Sequence, residues 1–294
     1  MQKVVIICGP TASGKTALSI ELAKKINGEI VSADSMQIYD EMNIGTAKPD
    51  KEEMQGIKHY LIGNIKPTQR YSVSEFKKDA IASIEEIISK NKMPIVVGGT
   101  GLYVNSLVYG IDYPEIETNL KYRKQLEQEV LEKGLQYLYD RAVEIDKEAM
   151  KNISPNDKKR ILRVLEIYKE TGKTKTEIEK ESRKNGIPYD YRIFAINMPR
   201  DILYERINKR VDIMLEKGLI QEVEELYKKY GEKLLTSMQA IGYKEVVEYL
   251  KGNCSKEEMI EKVKMETRRY AKRQLTWFKK IENVHWLDGL NEIQ

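Results

Sequence analysis

The segment from Val4 to Thr16 constrains the fold of this chain more than any other feature. Aliphatic residues from Val4 to Ile7 predict a buried strand, and the pattern G-x-x-x-x-G-K-T follows them and leads into a helical pattern. Strand, loop and helix in this order are typical of a phosphate-binding P-loop, in which glycines let backbone N–H groups face the anion. The predicted loop residues are Gly9, Pro10, Thr11, Ala12, Ser13, Gly14, Lys15 and Thr16.

Two side chains of this loop carry its predicted chemistry. Lys15 supplies a positive charge to the outer phosphates, and the hydroxyl of Thr16 is suited to Mg²⁺. The pattern indicates a phosphate ligand and does not indicate which reaction follows. A loop with a purely structural role is the alternative interpretation.

Strand and helix patterns alternate over the first hundred residues and predict a parallel α/β sheet. The predicted strands are Lys3–Cys8, Glu29–Ala33 and Met93–Val97, and the predicted helices are Gly14–Ile26 and one that Ser74 caps. Because ligands of such sheets bind at the carboxyl ends of the strands, we expect the P-loop, Asp34 and Gly98–Gly101 to meet in one crevice.

The pattern changes after Tyr113-Pro114, where the chain becomes polar, helical and free of strand candidates. Residues 115–188 are therefore predicted to form an inserted all-helical subdomain between two parts of the core, residues 1–114 and 189–294. The second part is predicted to hold strands at Arg192–Met198 and Asn283–Leu287. Its predicted helices are Asp201–Lys217, Leu219–Tyr230, Gln239–Leu250 and Ser255–Lys280. The predicted fold class is α/β, a P-loop NTPase-like parallel sheet with flanking helices.

Positive charge is concentrated although the formal net charge is only +4. Residues 260–280 contain eight Lys or Arg and two Glu, and a second basic cluster combines Lys158–Arg160 with Arg163. Such patches attract polyanions, including nucleic acids, and a solvated helix face is the alternative. The chain lacks an apolar run near 18 residues and a secretory signal, and its two cysteines are far apart, so we expect a reduced, cytoplasmic setting without a membrane partner.

Four further side chains are considered for catalysis. Asp34 follows the second strand, where a carboxylate can accept a proton or hold metal-bound water; a turn or cap residue is the alternative. Thr100 lies in a glycine-rich turn, where its hydroxyl could reach a phosphate or cap a helix. Arg206 and Arg210 lie one helical turn apart, and one of them could clamp a leaving phosphate unless both are surface ion-pair residues.

Eight segments of the chain resemble, in order, those of the bacterial tRNA dimethylallyltransferase (tRNA isopentenyltransferase) family. They are Gly9–Thr16, Ser32–Tyr39, Asn43–Pro49, Gly98–Tyr103, Pro155–Arg163, Arg206–Leu215, Gln239–Lys244 and Thr267–Trp277. The likeness extends over nearly the whole chain, and segments such as the one around Asp34 are more specific than the P-loop.

The resemblance implies transfer of a dimethylallyl group from dimethylallyl diphosphate to N6 of adenosine at tRNA position 37. The P-loop, Lys15 and Mg²⁺ at Thr16 would then hold a diphosphate leaving group, with Arg210 and Thr100 nearby. Asp34 would accept a proton from N6. The adenosine must leave its stack in the anticodon loop to reach a crevice, so base flipping is expected.

The resemblance also implies contacts with the tRNA anticodon stem-loop along much of the chain. The implied contact residues are Asp34, Ser35, Met36, Gln37, Thr100, Arg123, Lys159, Arg160, Ile161, Leu162, Arg163, Gln239, Ala240, Ile241, Gly242, Tyr243 and Lys244. We expect the basic C-terminal helix to contact phosphates and the protein to be a monomer.

Two other functions are also compatible with a phosphate-binding site of this kind. A P-loop kinase acting on a nucleoside or small metabolite would consume ATP. An RNA-binding protein that uses a nucleotide as a switch would bind tRNA without forming a prenylated product. The segments Gly98–Tyr103 and Gln239–Lys244 argue against the kinase.

Overall fold

The structure is a computed structural model that describes residues 1–114, 119–184, 186–234 and 236–288. The chain divides into two compact units, one formed by Met1–Val108 with Pro188–Gln294 and the other by Tyr109–Ile187. The second unit begins at Tyr109, whereas we predicted position 115.

The first unit is built on a parallel sheet whose six strands, within the described residues, have the order β3-β2-β4-β1-β5-β6. The strands are β1 (Lys3–Cys8), β2 (Gly28–Ser32), β3 (His59–Tyr60), β4 (Met93–Gly98), β5 (Asp190–Ile196) and β6 (Val284–Leu287). Every neighbouring pair is parallel. The predicted α/β fold class is confirmed, and the two-residue strand β3 is an addition to it.

Helices flank the sheet and also make up the second unit. In chain order they are α1 (Lys15–Lys25), α2 (Lys51–Met54), α3 (Val73–Ser89), α4 (Gly101–Val108), α5 (Leu120–Lys133), α6 (Leu135–Ile145), α7 (Lys147–Met150), α8 (Lys158–Thr171), α9 (Lys175–Arg183), α10 (Arg200–Glu216), α11 (Leu219–Tyr230), α12 (Tyr243–Leu250) and α13 (Lys256–Phe278). Short 3-10 helices cover Gly231–Lys233 and Ser237–Gln239. None of the described helices is long and apolar enough to cross a membrane.

Strand β1 lies near the centre of the sheet and is packed on both faces. Its aliphatic residues Val4, Ile6 and Ile7 are completely buried, as expected for a parallel strand that helices cover. Cys8 ends the strand, donates its thiol hydrogen to the Phe194 carbonyl, and has its pKa raised to about 12 by burial. The P-loop therefore begins at the end of a buried apolar strand, which holds its first residues in place.

Helix α3 begins earlier than the sequence pattern predicted. Ser72, and not Ser74, is the N-cap, because Ser72 Oγ accepts a hydrogen bond from the Glu75 N–H and the Glu75 carboxylate accepts one from the Ser72 N–H. This reciprocal capping box satisfies the N–H groups of Ser72 and Glu75 at the start of the helix. Ser74 therefore lies inside the first turn of α3 and is not its cap.

The predicted helix Gln239–Leu250 is divided in the structure. Gly242 has a φ of 98°, a left-handed backbone angle that interrupts a right-handed helix and that glycine adopts without strain. A 3-10 turn ends at Gln239, and α12 begins at Tyr243.

The second unit has its own apolar core, and between residues 119 and 184 it consists of helices α5 to α9 and the turns that join them. Leu126 of α5, Leu138 of α6, and Ile161 and Leu162 of α8 are all completely buried in one cluster. Apolar residues at helical spacing thus explain why this unit packs as a small helical bundle.

Candidate active site

The P-loop joins β1 to α1 at the carboxyl end of the sheet, and its lysine lies over the loop. Lys15 Nζ donates a hydrogen bond to the Pro10 carbonyl at 3.0 Å. Burial, and to a lesser extent nearby Arg210, lower the pKa of Lys15 to about 8, and Asp34 opposes the shift. A desolvated cation of this kind binds an anion strongly, because little water must be displaced from it.

Arg210 is the member of the α10 arginine pair that lies in the site. Burial lowers the pKa of Arg210, and Asp34 opposes the shift. Arg206, one turn earlier, is exposed, and its guanidinium contacts the sulfur of Met198 at 3.8 Å. Lys15 and Arg210 therefore form a pair of half-buried cations with Asp34 close enough to influence both.

Asp34 stabilises the turn after β2 with one carboxylate oxygen and leaves the other oxygen available to accept a proton. Its Oδ1 accepts hydrogen bonds from the N–H groups of Met36 at 2.9 Å and Gln37 at 3.3 Å. Its Oδ2 has no hydrogen-bond partner, and the carboxylate forms no ion pair, within the described residues. The two interpretations of this residue are thus compatible, because the turn fixes one oxygen and so orients the other.

Thr100 connects the turn after β4 to the turn after β2. Its Oγ1 accepts a hydrogen bond from the Ser35 N–H at 3.1 Å, and its own N–H donates to the Ala33 carbonyl at 3.2 Å. The structure therefore brings the predicted residues Asp34, Ser35 and Thr100 together, as expected for the carboxyl ends of neighbouring parallel strands.

A cleft of about 670 Å³ opens beside the P-loop in the first unit. Lys15, Thr16 and Arg210 form part of its wall, and Ile20, Ile44, Ile213 and Met214 supply apolar surface. The cleft is thus suited to a small ligand with a strongly anionic end and an apolar end.

Glu222 of α11 holds one side of this cleft and was not found from the sequence. Its carboxylate accepts hydrogen bonds from three successive N–H groups, those of Asn43 at 2.9 Å, Ile44 at 2.8 Å and Gly45 at 3.1 Å. The hydroxyl of the buried Tyr243 donates to the same carboxylate. A Cβ on Gly45 would lie 2.3 Å from the Tyr243 ring, so only glycine fits at this position.

Replacing Glu222 with alanine is expected to lower the free energy of unfolding by about 2 kcal/mol, because three N–H groups and a buried hydroxyl lose a charged acceptor. Urea denaturation followed by circular dichroism measures the change. Glu225→Ala on the same helix is the control, since Glu225 is exposed and has no partner in the described chain. Equal stabilities of the two variants would contradict the anchoring role of Glu222.

The predicted tRNA-contact residues of α8 differ in their exposure. Ile161 and Leu162 are completely buried, whereas Lys159 and Arg160 are exposed. Arg163 reaches the buried carboxylate of Glu166, with 3.8 Å between nitrogen and oxygen. Arg123 of α5 pairs with the same carboxylate at 2.8 Å, so Glu166 holds two of the predicted contact residues side by side.

The predicted contact residues of the first unit are also partly internal. Gln37 uses its side-chain amide to donate to the carbonyls of Thr46 and Ala47. Tyr243 and Ala240 are buried, whereas Gln239 and Lys244 are exposed. Ile241 and Gly242 form the bend between them, and Met36 lies in the turn that Asp34 caps.

The parallel sheet, the loop after β1 and the half-buried cations around it define a P-loop α/β protein. The family model described as IPP transferase matches residues 37–281, which is most of the chain. The chain therefore belongs to the IPP transferase family.

Relatives extend the likeness to the segments before residue 37. The tRNA dimethylallyltransferase of Acetivibrio thermocellus is 53% identical over 98% of this chain and 92% of its own length. A crystal structure of the full-length tRNA isopentenylpyrophosphate transferase of Bacillus halodurans has 45% identity and a TM-score of 0.72, covering 98% of this chain and 90% of that one. A crystal structure of a eukaryotic dimethylallyltransferase acting on tRNA has 34% identity and a TM-score of 0.80, and the match covers 98% of this chain and 74% of that one.

Proposed function

We propose that this protein is a tRNA dimethylallyltransferase that joins C1 of dimethylallyl diphosphate to N6 of adenosine at tRNA position 37. The observation that carries the proposal is the placement of a turn-held carboxylate, Asp34, near the half-buried cations Lys15 and Arg210. Membership of the IPP transferase family and relatives named tRNA dimethylallyltransferase support it.

The cations act on the leaving group. As the C1–O bond breaks, its electron pair and the negative charge pass to the diphosphate oxygen. Lys15, Arg210 and the N–H groups of the P-loop bind that charge more strongly in the transition state than in the bound substrate. Because the side chains are already desolvated and placed, the barrier falls without reorganisation of the site.

The carboxylate acts on the nucleophile. The N6 nitrogen is a poor nucleophile because its lone pair is delocalised into the adenine ring. When its lone pair forms the bond to C1 the nitrogen becomes positively charged, and it must lose one proton to be neutral in the product. Asp34 Oδ2 accepts that proton, while Oδ1 stays in its hydrogen bonds to the Met36 and Gln37 N–H groups. The products are the N6-prenylated adenosine and diphosphate.

Mg²⁺ fits the residues at the start of α1 when it is bound through the substrate. The described residues contain no cluster of three or more acidic, histidine or cysteine side chains that could hold a metal ion. Thr16 offers one exposed hydroxyl without a hydrogen-bond partner in the described chain. Mg²⁺ commonly takes few protein ligands together with phosphate oxygens and water, and it would add positive charge at the diphosphate.

The tRNA anticodon stem-loop is the proposed partner, and the exposed residues among the predicted contacts, such as Arg160 and Lys244, are proposed to bind it. The adenosine must unstack before N6 can reach Asp34. We further propose that the enzyme acts as a monomer in the cytoplasm.

Label transfer tests the function directly. The protein is incubated with Mg²⁺, radiolabelled dimethylallyl diphosphate and an anticodon stem-loop with adenosine at position 37, and a loop with guanosine there is the control. We expect label in the adenosine loop only. Absence of label with normal tRNA binding would contradict the proposal, and ATP turnover would then separate a kinase from an RNA-binding switch.

Replacing Arg160 with alanine is expected to weaken stem-loop binding about three- to tenfold and to reduce the salt dependence of the dissociation constant, because one phosphate contact is lost. Fluorescence anisotropy over a salt series measures both. Arg160 is exposed and, among the residues that the structure describes, its side chain pairs with Asp157 alone, three residues away. Lys151→Ala removes an exposed cation with a similar pair, to Glu148, and is the matched control. Equal affinities would place the phosphate contact elsewhere.

A further inference from the structure

Helix α13 contributes more to the site than the positive surface charge expected from its sequence. Gln274 in this helix is almost completely buried, at 3% exposure. Its Oε1 accepts a hydrogen bond from the Thr11 N–H at 2.8 Å, and its Nε2 donates to the Gly99 carbonyl at 2.8 Å. Both ends of the amide are therefore used, and each is bound to the backbone of a different segment.

The two segments that Gln274 connects leave neighbouring strands. Thr11 belongs to the P-loop after β1, and Gly99 belongs to the turn after β4. The register of β1 and β4 ends at the pair Cys8 and Gly98. The amide of Gln274 thus continues the connection between the two strands after their own hydrogen bonds have ended.

Gly99 leaves room for the Gln274 side chain. A Cβ on Gly99 would lie 2.1 Å from Gln274 Nε2, so the glycine makes room for the amide. Tyr270, one turn earlier on α13, also lies near the site: burial and the neighbouring carboxylate of Asp34 raise the pKa of its hydroxyl. Side chains of α13 therefore support the turn that carries Thr100.

We propose that Gln274 is a positioning residue for prenyl transfer, which sets the P-loop at a fixed place relative to the turn of Thr100. This inference rests on the proposed function. Gln274 acts through Thr11 and Gly99: the first segment would hold the diphosphate, and the second holds Thr100 against Ser35, the neighbour of Asp34. The reaction needs leaving group and proton acceptor at a fixed separation, and a displacement of about 1 Å can cost about 100-fold in rate.

Gln274→Met tests the hydrogen bonds while keeping the length and approximate volume of the side chain. We expect kcat to fall at least about tenfold, with the dissociation constant of the stem-loop within about twofold of the wild type. Gln128→Met, at an exposed position of α5, controls for the substitution itself. A kcat of Gln274→Met within twofold of an active wild type would overturn the proposal.

Gln274→Glu adds a second measurement, the pH dependence of kcat, which a loss of packing would not change. A protonated carboxylic acid retains an acceptor for the Thr11 N–H and a donor for the Gly99 carbonyl, whereas the ionised form has no donor. The kcat of this variant relative to the wild type is therefore expected to rise as pH falls from 8 to 6. A constant ratio would overturn the hydrogen-bond role, even if Gln274→Met proves too unstable to assay.

Label transfer by the wild-type protein distinguishes failure of the proposed function from failure of the proposed role of Gln274. If the wild-type protein places no label in the adenosine stem-loop, the proposed function fails. If it does, and the Gln274 variants match it, only the role of Gln274 fails.

Discussion

Replacing Asp34 with asparagine is expected to lower kcat for prenyl transfer by about 10²–10⁴-fold while leaving tRNA affinity nearly unchanged. The amide oxygen of asparagine can still accept the hydrogen bonds that Oδ1 receives from the Met36 and Gln37 N–H groups. The turn is therefore kept, and what is lost is the basic oxygen that takes the N6 proton. Asparagine is thus a sharper test than alanine, which would remove the turn contacts as well.

Single-turnover label transfer at saturating stem-loop measures the effect, with anisotropy reporting tRNA binding. Asp40→Asn is the matched control, because Asp40 is exposed and its Oδ1 also accepts a backbone hydrogen bond, from Glu41. Transfer by Asp34→Asn at the wild-type rate would remove Asp34 as the proton acceptor.

Replacing Lys15 with alanine is expected to lower kcat/KM for dimethylallyl diphosphate by about 10²–10³-fold, with tRNA affinity maintained. Lys15 is the cation that folds over the P-loop, and the charge it contributes matters most as the C1–O bond breaks. Steady-state kinetics with varied diphosphate substrate measure the loss. Lys25→Ala at the exposed end of α1 is the control, and equal kinetics of the two variants would exclude Lys15 from the diphosphate site.

The lowered pKa of Lys15 adds a pH dependence to this prediction. Lys15 is protonated below its pKa of about 8 and neutral above it, so kcat/KM is expected to fall as pH rises through that value. Lys15→Arg keeps its charge over the same range, and its alkaline limb should therefore move to higher pH. If the alkaline limb of the kcat/KM profile stays at the same pH in Lys15→Arg, the group that titrates there is not Lys15.

Local patterns predicted the sheet and the P-loop because each is set by neighbouring residues. The apolar run of β1 and the loop motif after it lie within sixteen residues, and the structure has the strand at Lys3–Cys8 as predicted. Helix α11 likewise has its predicted bounds, Leu219–Tyr230. Periodicity and loop chemistry were sufficient at these positions.

Contacts between distant parts of the chain explain what the sequence did not reveal. Gln274 is 263 residues from Thr11, and Glu222 is 179 residues from Asn43. On a helical pattern each is one polar residue among many, and only the folded chain shows that their partners are backbone groups of the site. Local ambiguity explains the displaced N-cap of α3, where both Ser72 and Ser74 precede an apolar face and only Ser72 has glutamate three residues later.

The two cysteines of the chain differ in accessibility, which makes the native protein convenient for single-site fluorescence labelling. Cys8 is buried at the end of β1, and with a pKa near 12 its sulfur remains a thiol at neutral pH, whereas maleimide dyes react with thiolates. Cys254 is partly exposed in the turn before α13. A dye added to the unmodified protein therefore attaches at Cys254, where its emission can report how α13 responds to tRNA without any engineered cysteine.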